Sequence, residues 1–186
     1  MCLGHNGAGK STSLALFAAE LKLQHGDATY HLRQGDTELR DADGANNLIR
    51  TKIGVCPQHN TALQDELTCR ETLRLFAYLK GGISIGAGQS VDEAVEAEVE
   101  RRLQDVQFTS DENADTPVGT FSGGMKRKVL IAMALLGDPE VVFLDGKLCG
   151  ALILFLATGS SANRHVSYLQ SQPLVSTHTI VAQSGI

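Results

Sequence analysis

The chain has 186 residues, a formal net charge of −5, 42% hydrophobic and 20% charged residues. That composition excludes a disordered or fibrous polymer, and the length suits one domain with its own core. The clustered surplus of Lys and Arg that a nucleic-acid backbone demands is missing, so no nucleic-acid partner is expected.

The first motif in chain order is Gly4, His5, Asn6, Gly7, Ala8, Gly9, Lys10 and Ser11, a full match to G-x-x-x-x-G-K-[ST], followed by Thr12. Glycines let successive backbone N–H groups turn inward around a phosphate, and the N-terminus of the helix that follows adds partial positive charge. Lys10 would reach the β- and γ-phosphates, and the Ser11 hydroxyl suits Mg²⁺. ATP with Mg²⁺ is therefore the expected ligand. Residues 10–23 carry Leu14, Leu16, Phe17, Leu21 and Leu23 as a helical stripe. Residues 26–32 suggest a short strand, 35–47 are polar and expected to be loop-rich, and 53–56 form a brief apolar strand stopped by Pro57.

Thr68 and Glu71 fit the S/T-x-x-E capping box, which predicts a helix over 70–80 with Leu73, Phe76, Ala77 and Leu79 apolar. After a flexible connection over 81–90, Val95, Val99, Leu103 and Val106 predict a second helix over 92–106 with an acidic outer face. Residues 126–136 form another helix candidate, closed by Gly137, Asp138 and Pro139. The apolar run 141–144 then predicts a buried strand, and Asp145 at its end is the carboxylate that sits near Mg²⁺ in P-loop NTPases. Helices alternating with buried strands imply an α/β fold with a parallel-rich sheet.

Cys2, Cys56, Cys69 and Cys149 lack C-x-x-C spacing, which points to reduced cytosolic thiols rather than disulfides or zinc. The longest apolar run, 148–157, is about half of the ~20 residues a membrane helix needs, and no basic-then-apolar leader precedes the first motif. The chain is expected not to span a membrane by itself.

Phe121, Ser122, Gly123, Gly124, Met125, Lys126, Arg127 and Lys128 resemble the signature sequence of ATP-binding cassette (ABC) transporters. Ile53, Gly54, Val55, Cys56, Pro57, Gln58, His59 and Asn60 look like the Q-loop of the family's A subfamily, whose members move lipids and sterols. With the phosphate loop and the strand ending in Asp145, these motifs stand in the family's order across residues 4–145. The resemblance implies an ABC-type P-loop NTPase core with an inserted helical subdomain over 67–118, all within a single nucleotide-binding domain. It implies that Ser122, Gly123 and Gly124 contact the γ-phosphate held by a second nucleotide-binding domain in a head-to-tail ATP sandwich. Gln58 would sense Mg²⁺ and the attacking water, Asp145 would join the Mg²⁺ shell, and His178, in Val175-Ser176-Thr177-His178, would be the switch histidine. Transmembrane domains of a transporter are the implied partners, met by the helical subdomain at the cytoplasmic face of a membrane.

The sequence departs from the family pattern in two places. The family follows its Walker B Asp with a Glu that polarises water, whereas Gly146 follows Asp145 here, and a glycine accepts no proton. Binding is therefore expected ahead of turnover, and a catalytically impaired regulatory module or inactive fragment is the alternative to a working ATPase. Residues 146–186 are atypical and admit two readings. Ser161 to Val166 resembles the segment after a D-loop, or else Gly146 to Gly150 resembles the stretch that follows the H-loop, with the intervening residues lost. At the front, only Met1, Cys2 and Leu3 precede Gly4. The family's feeding strand and its adenine-stacking aromatic are expected to be missing there, which would weaken affinity for the base.

Overall fold

The computed structural model describes residues 8–18, 20–21, 28–32, 35–39, 50–108, 111–145 and 165–169. Two compact units emerge, Met1–Gln58 with Glu140–Ile186, and His59–Pro139.

In the first unit, helix α1 spans Lys10–Phe17. It is shorter than the apolar stripe predicted: Glu20 N–H reaches back to the Ala15 carbonyl at 2.8 Å, a six-to-one bond that closes a helix C-terminus. Strands β1 (Ala28–Leu32) and β2 (Gly35–Leu39) pair antiparallel from Leu32↔Gly35 to Ala28↔Leu39. The second of these corrects the loop expected over 35–47. A backbone ladder needs no apolar side chains, so the polar stretch from Gly35 to Leu39 pairs as well as a hydrophobic one. Strands β3 (Ile53–Cys56), β4 (Val141–Asp145) and β5 (His165–Leu169) form a parallel sheet in the order β3-β4-β5. Ile53, Cys56, Val142, Phe143 and Leu144 are buried, as expected for the unbroken apolar runs of parallel strands. β5 was not foreseen in the sequence.

The second unit is helical. Helix α2 (Cys69–Lys80) begins at Thr68, whose hydroxyl accepts the Glu71 N–H at 3.1 Å while Glu71 Oε2 accepts the Thr68 N–H at 2.9 Å. Helix α3 (Val91–Asp105) starts with the same reciprocal box between Ser90 and Glu93. A short helix α4 (Asp111–Ala114) and a 3₁₀ turn (Val118–Thr120) lead to α5 (Gly123–Leu135). α2 packs on α3 and α5, with Leu73 and Ala77 meeting a core that includes Val95, Val99 and Leu103. Residues Val129 to Leu135 of α5 are buried on every side, so this helix is enclosed rather than amphipathic. Outside the core, Arg70, Arg74 and Tyr78 of α2 meet Glu100, Glu96 and Asp92 of α3, each series stepping by four residues along one face.

α3 keeps the acidic outer face expected of it, with Asp92, Glu93 and Glu100 exposed, and buries two charges beside its apolar stripe. Arg102 is fully buried, and its Nε donates to Glu98 Oε1 at 2.8 Å, with Asp105 and Asp138 completing its shell. The same Glu98 oxygen accepts the Gly137 N–H at 3.0 Å. Lys80 Nζ donates to the carbonyls of Leu136 at 2.6 Å and Ala134 at 3.3 Å, capping the end of α5.

Two outcomes follow for stability. Removing one partner of a buried ion pair strands the other, so Glu98→Ala is expected to cost about 3 kcal/mol in urea denaturation, and Glu98→Gln, which keeps an acceptor for Gly137, less. Burial, and then the neighbouring Arg102, lower the Lys80 pKa from its ordinary 10.5 to about 8. Between those values the unfolded chain holds a proton the folded chain has lost, so this group's contribution to stability rises with pH across that window. Urea midpoints at the two ends of the window should shift in favour of the wild type over Lys80→Met as pH increases.

Candidate functional site

α1 opens from a bend at Ala8 and Gly9, and the first helical hydrogen bond runs from Ser13 N–H to the Gly9 carbonyl at 2.8 Å. The N–H groups of Lys10, Ser11 and Thr12 precede that ladder and point out of the helix N-terminus, where its partial positive charge lies. Gly9 has φ +78°, in the left-handed region, and a Cβ there would meet nothing within 4 Å. Its dihedral, not crowding, is what demands glycine. Gly4, His5, Asn6 and Gly7 lie outside the described residues.

The parallel sheet supplies two further predicted positions. Cys56 pairs with Leu144, so the ends of β3 and β4 lie side by side at the sheet's carboxyl edge, with Asp145 the last residue of β4. Gln58 leaves β3 two residues past that edge, beyond Pro57, and is exposed. Ligands of open α/β sheets bind outside the carboxyl ends of strands, and the register brings Gln58 and Asp145 to that edge. By residue type, a serine hydroxyl and an aspartate carboxylate suit Mg²⁺ held mainly by phosphates and water. His178 and Gly146 lie outside the described residues.

In the helical unit, Ser122 is the N-cap of α5, and its hydroxyl accepts the Met125 N–H at 3.3 Å. Gly123 and Gly124 form the first turn and are exposed, and a Cβ on Gly123 would find no neighbour within 4 Å. Glycine inside a helix costs roughly 0.5–1 kcal/mol relative to alanine, and nothing among the described residues requires it here. The turn therefore presents bare N–H groups outward. Phe121, just before it, is buried edge-on against Phe108 with ring centroids 5.6 Å apart, and the Lys128 ammonium lies 5.3 Å above the Phe108 ring. Near the start of α2, burial pushes the Cys69 thiol up to about 12, with Arg70 opposing, so Cys69 stays protonated and is no nucleophile. Sequence reasoning missed the contact of Asp65 with Gly119, in the segment entering this turn, and with Lys126 beyond it. These partners lie too far along the chain for any local pattern to reveal them.

The structure of a dimeric post-hydrolysis state of the ATP-binding cassette MJ0796, bound to ADP and Pi, matches with a TM-score of 0.67 at 23% identity, covering 89% of this chain and 71% of that one. The fold is thus that of the ABC-type ATPase cassettes, an α/β P-loop NTPase architecture. The family profile described as "ABC transporter" matches residues 1–147, and the chain belongs to that family. It is similar to ABC transporter A family member 9 of Arabidopsis thaliana, 38% identical over 143 residues, which are 77% of this chain and 13% of that protein. It is likewise 38% identical over 148 residues to ATP-binding cassette sub-family A member 10 of Homo sapiens, covering 80% of this chain and 9% of that protein. The chain thus spans only a small part of the length of these relatives. Among the described residues, no helix is long and apolar enough to cross a membrane.

An alanine at Gly9 would hold a side chain in the left-handed region at a cost of about 1–2 kcal/mol. Gly9→Ala is accordingly expected to raise the Kd for a fluorescent ATP analogue about tenfold in equilibrium titration, with far-UV circular dichroism unchanged.

Proposed function

We propose that the chain is a nucleotide-binding domain that holds ATP with Mg²⁺ through residues 4–12, with Ser11, Gln58 and Asp145 around the metal. The observation that carries this reading is the left-handed Gly9 opening α1 beside a phosphate-loop sequence without a mismatch. Lys10 would meet the β- and γ-phosphates, and the N–H groups at the start of α1 the remaining phosphate oxygens. Bound Mg²⁺ would neutralise phosphate charge. The exposed turn at Ser122, Gly123 and Gly124 is read as the surface offered to nucleotide held by a second such domain, head to tail. The dimeric cassettes among its structural relatives support that arrangement.

In the longer parent protein, ATP binding would be coupled to transmembrane domains at the cytoplasmic face of a membrane, with lipid-like cargo as in the A subfamily. The helical unit would carry the docking surface, and its α2 exposes Leu75, Tyr78 and Leu79 on one face. His178 is proposed as the switch histidine. Gly146 favours a second reading on its own account, a module that binds nucleotide and turns it over slowly or not at all.

Two variants separate these readings. Lys10→Ala is expected to abolish binding of the fluorescent ATP analogue, and retained affinity would sink the phosphate-loop assignment. Phosphate release by the wild type is expected to be slow, and Gly146→Glu to raise it at least about tenfold at unchanged ATP affinity, as a supplied general base contributes roughly 10²–10⁴-fold in established sites. A Gly146→Glu variant no faster than wild type would remove the general-base explanation and leave the binding module.

A further inference from the structure

Asp65 ties the loop that follows Gln58 to both sides of the turn that offers Ser122 to Gly124. Asp65 uses both of its acceptors: its main-chain carbonyl takes the Gly119 N–H at 2.9 Å, and its carboxylate takes Lys126 Nζ at 2.9 Å. Gly119 lies three residues before Ser122 and Lys126 four after, so the two bonds straddle the turn. The contact is close. A Cβ on Gly119 would stand 2.8 Å from the Asp65 carbonyl oxygen and 3.0 Å from its Cβ.

Backbone hydrogen bonds hold both segments of this clamp. On one side, Leu63 N–H bonds the Asn60 carbonyl at 3.1 Å and Leu67 N–H the Gln64 carbonyl at 3.2 Å, with Leu63 buried. On the other, Val118 N–H bonds the Leu67 carbonyl at 2.9 Å, and Phe121 N–H bonds the Val118 carbonyl at 3.0 Å. A continuous set of bonds therefore runs from Asn60, two residues past Gln58, to the N-cap of α5. Lys126 also has the wrong sign for the first turns of a helix, and the Asp65 carboxylate cancels that charge where the dipole is positive.

We propose that Asp65 is a positioning residue, setting the orientation of the Ser122–Gly124 turn so that it follows the loop leaving Gln58. What the turn meets rests on the function proposed above; the coupling itself does not. It is tested on the full chain by amide hydrogen exchange over residues 119–126 without nucleotide, together with thermal melting and ATP-dependent self-association. Asp65→Asn and Lys126→Met are expected to speed exchange about threefold at unchanged melting temperature, a factor in keeping with one surface ion pair. The charge-swapped pair Asp65→Lys with Lys126→Asp should restore it. Gly119→Ala should speed exchange with both charges in place. Self-association with ATP should weaken by a similar factor in the single variants, while binding of the fluorescent ATP analogue stays the same. Exchange that none of these variants alters would overturn the proposal. So would a fall in melting temperature that the swap does not recover, or faster exchange with self-association intact. Should the wild type fail to associate with ATP, the head-to-tail reading is lost, and the exchange result still decides the coupling.

Discussion

A guanidinium removed from water has to be enclosed by acceptors, and the helical unit is arranged around that demand at Arg102. Glu98, Asp105 and Asp138 supply the carboxylates, and Glu98 spends the same oxygen on the Gly137 N–H. Lys80 reaches the last carbonyls of α5 from the end of α2. The ends of three helices thereby meet at one polar cluster beneath an otherwise apolar core. Apolar packing is non-directional and would tolerate sliding of one helix along another, whereas these bonds hold only in one register. The cluster also shapes the turn that leads to β4, where Gly137 and Asp138 both take positive φ. Asp138 tolerates that conformation better than most side chains do.

Two exposed helix N-termini carry the proposed chemistry, and glycine serves them for different reasons. At Gly9 the backbone adopts a dihedral that a side chain resists; at Gly123 the dihedral is ordinary and the outward space is open. The first glycine shapes its own loop. The second leaves room for something from outside the chain, which fits a surface completed by another molecule.

Elements whose cause is local were legible in the sequence. The Thr68–Glu71 box, the apolar runs of β3 and β4, and the spacing of Val95, Val99 and Leu103 each act within a few residues, and each appears in the structure. The Ser90–Glu93 box has the same S/T-x-x-E spacing, at the end of a glycine-rich stretch. α5 starts at Gly123, ahead of its expected position, because two glycines disguise a first turn that Ser122 caps. The β1–β2 hairpin depends on backbone pairing that polar letters conceal, and β5 on a neighbour far away in sequence. The burial of Glu98 and Arg102 is hidden for a related reason: charged letters read as solvated until their partners are known. The expectation at Gly9 follows from motif spacing and that at Asp145 from the apolar run before it, whereas those at Gln58 and Ser122 follow from the resemblance to the family. The pairing of Asp65 with Lys126 is invisible without the fold.

The parallel ladder between β3 and β4 joins residues that lie on either side of the entire helical unit in sequence. Closing so long a loop from a disordered chain carries an entropic cost that grows with its length, and parallel pairing returns little until both strands are in place. The capping boxes and close helix contacts of the inserted segment are local and form quickly by comparison. The folding route this topology favours therefore begins in the insertion, and the central sheet waits on it. A lesion in the apolar core of the helical unit would then register first as slow or failed sheet assembly during synthesis.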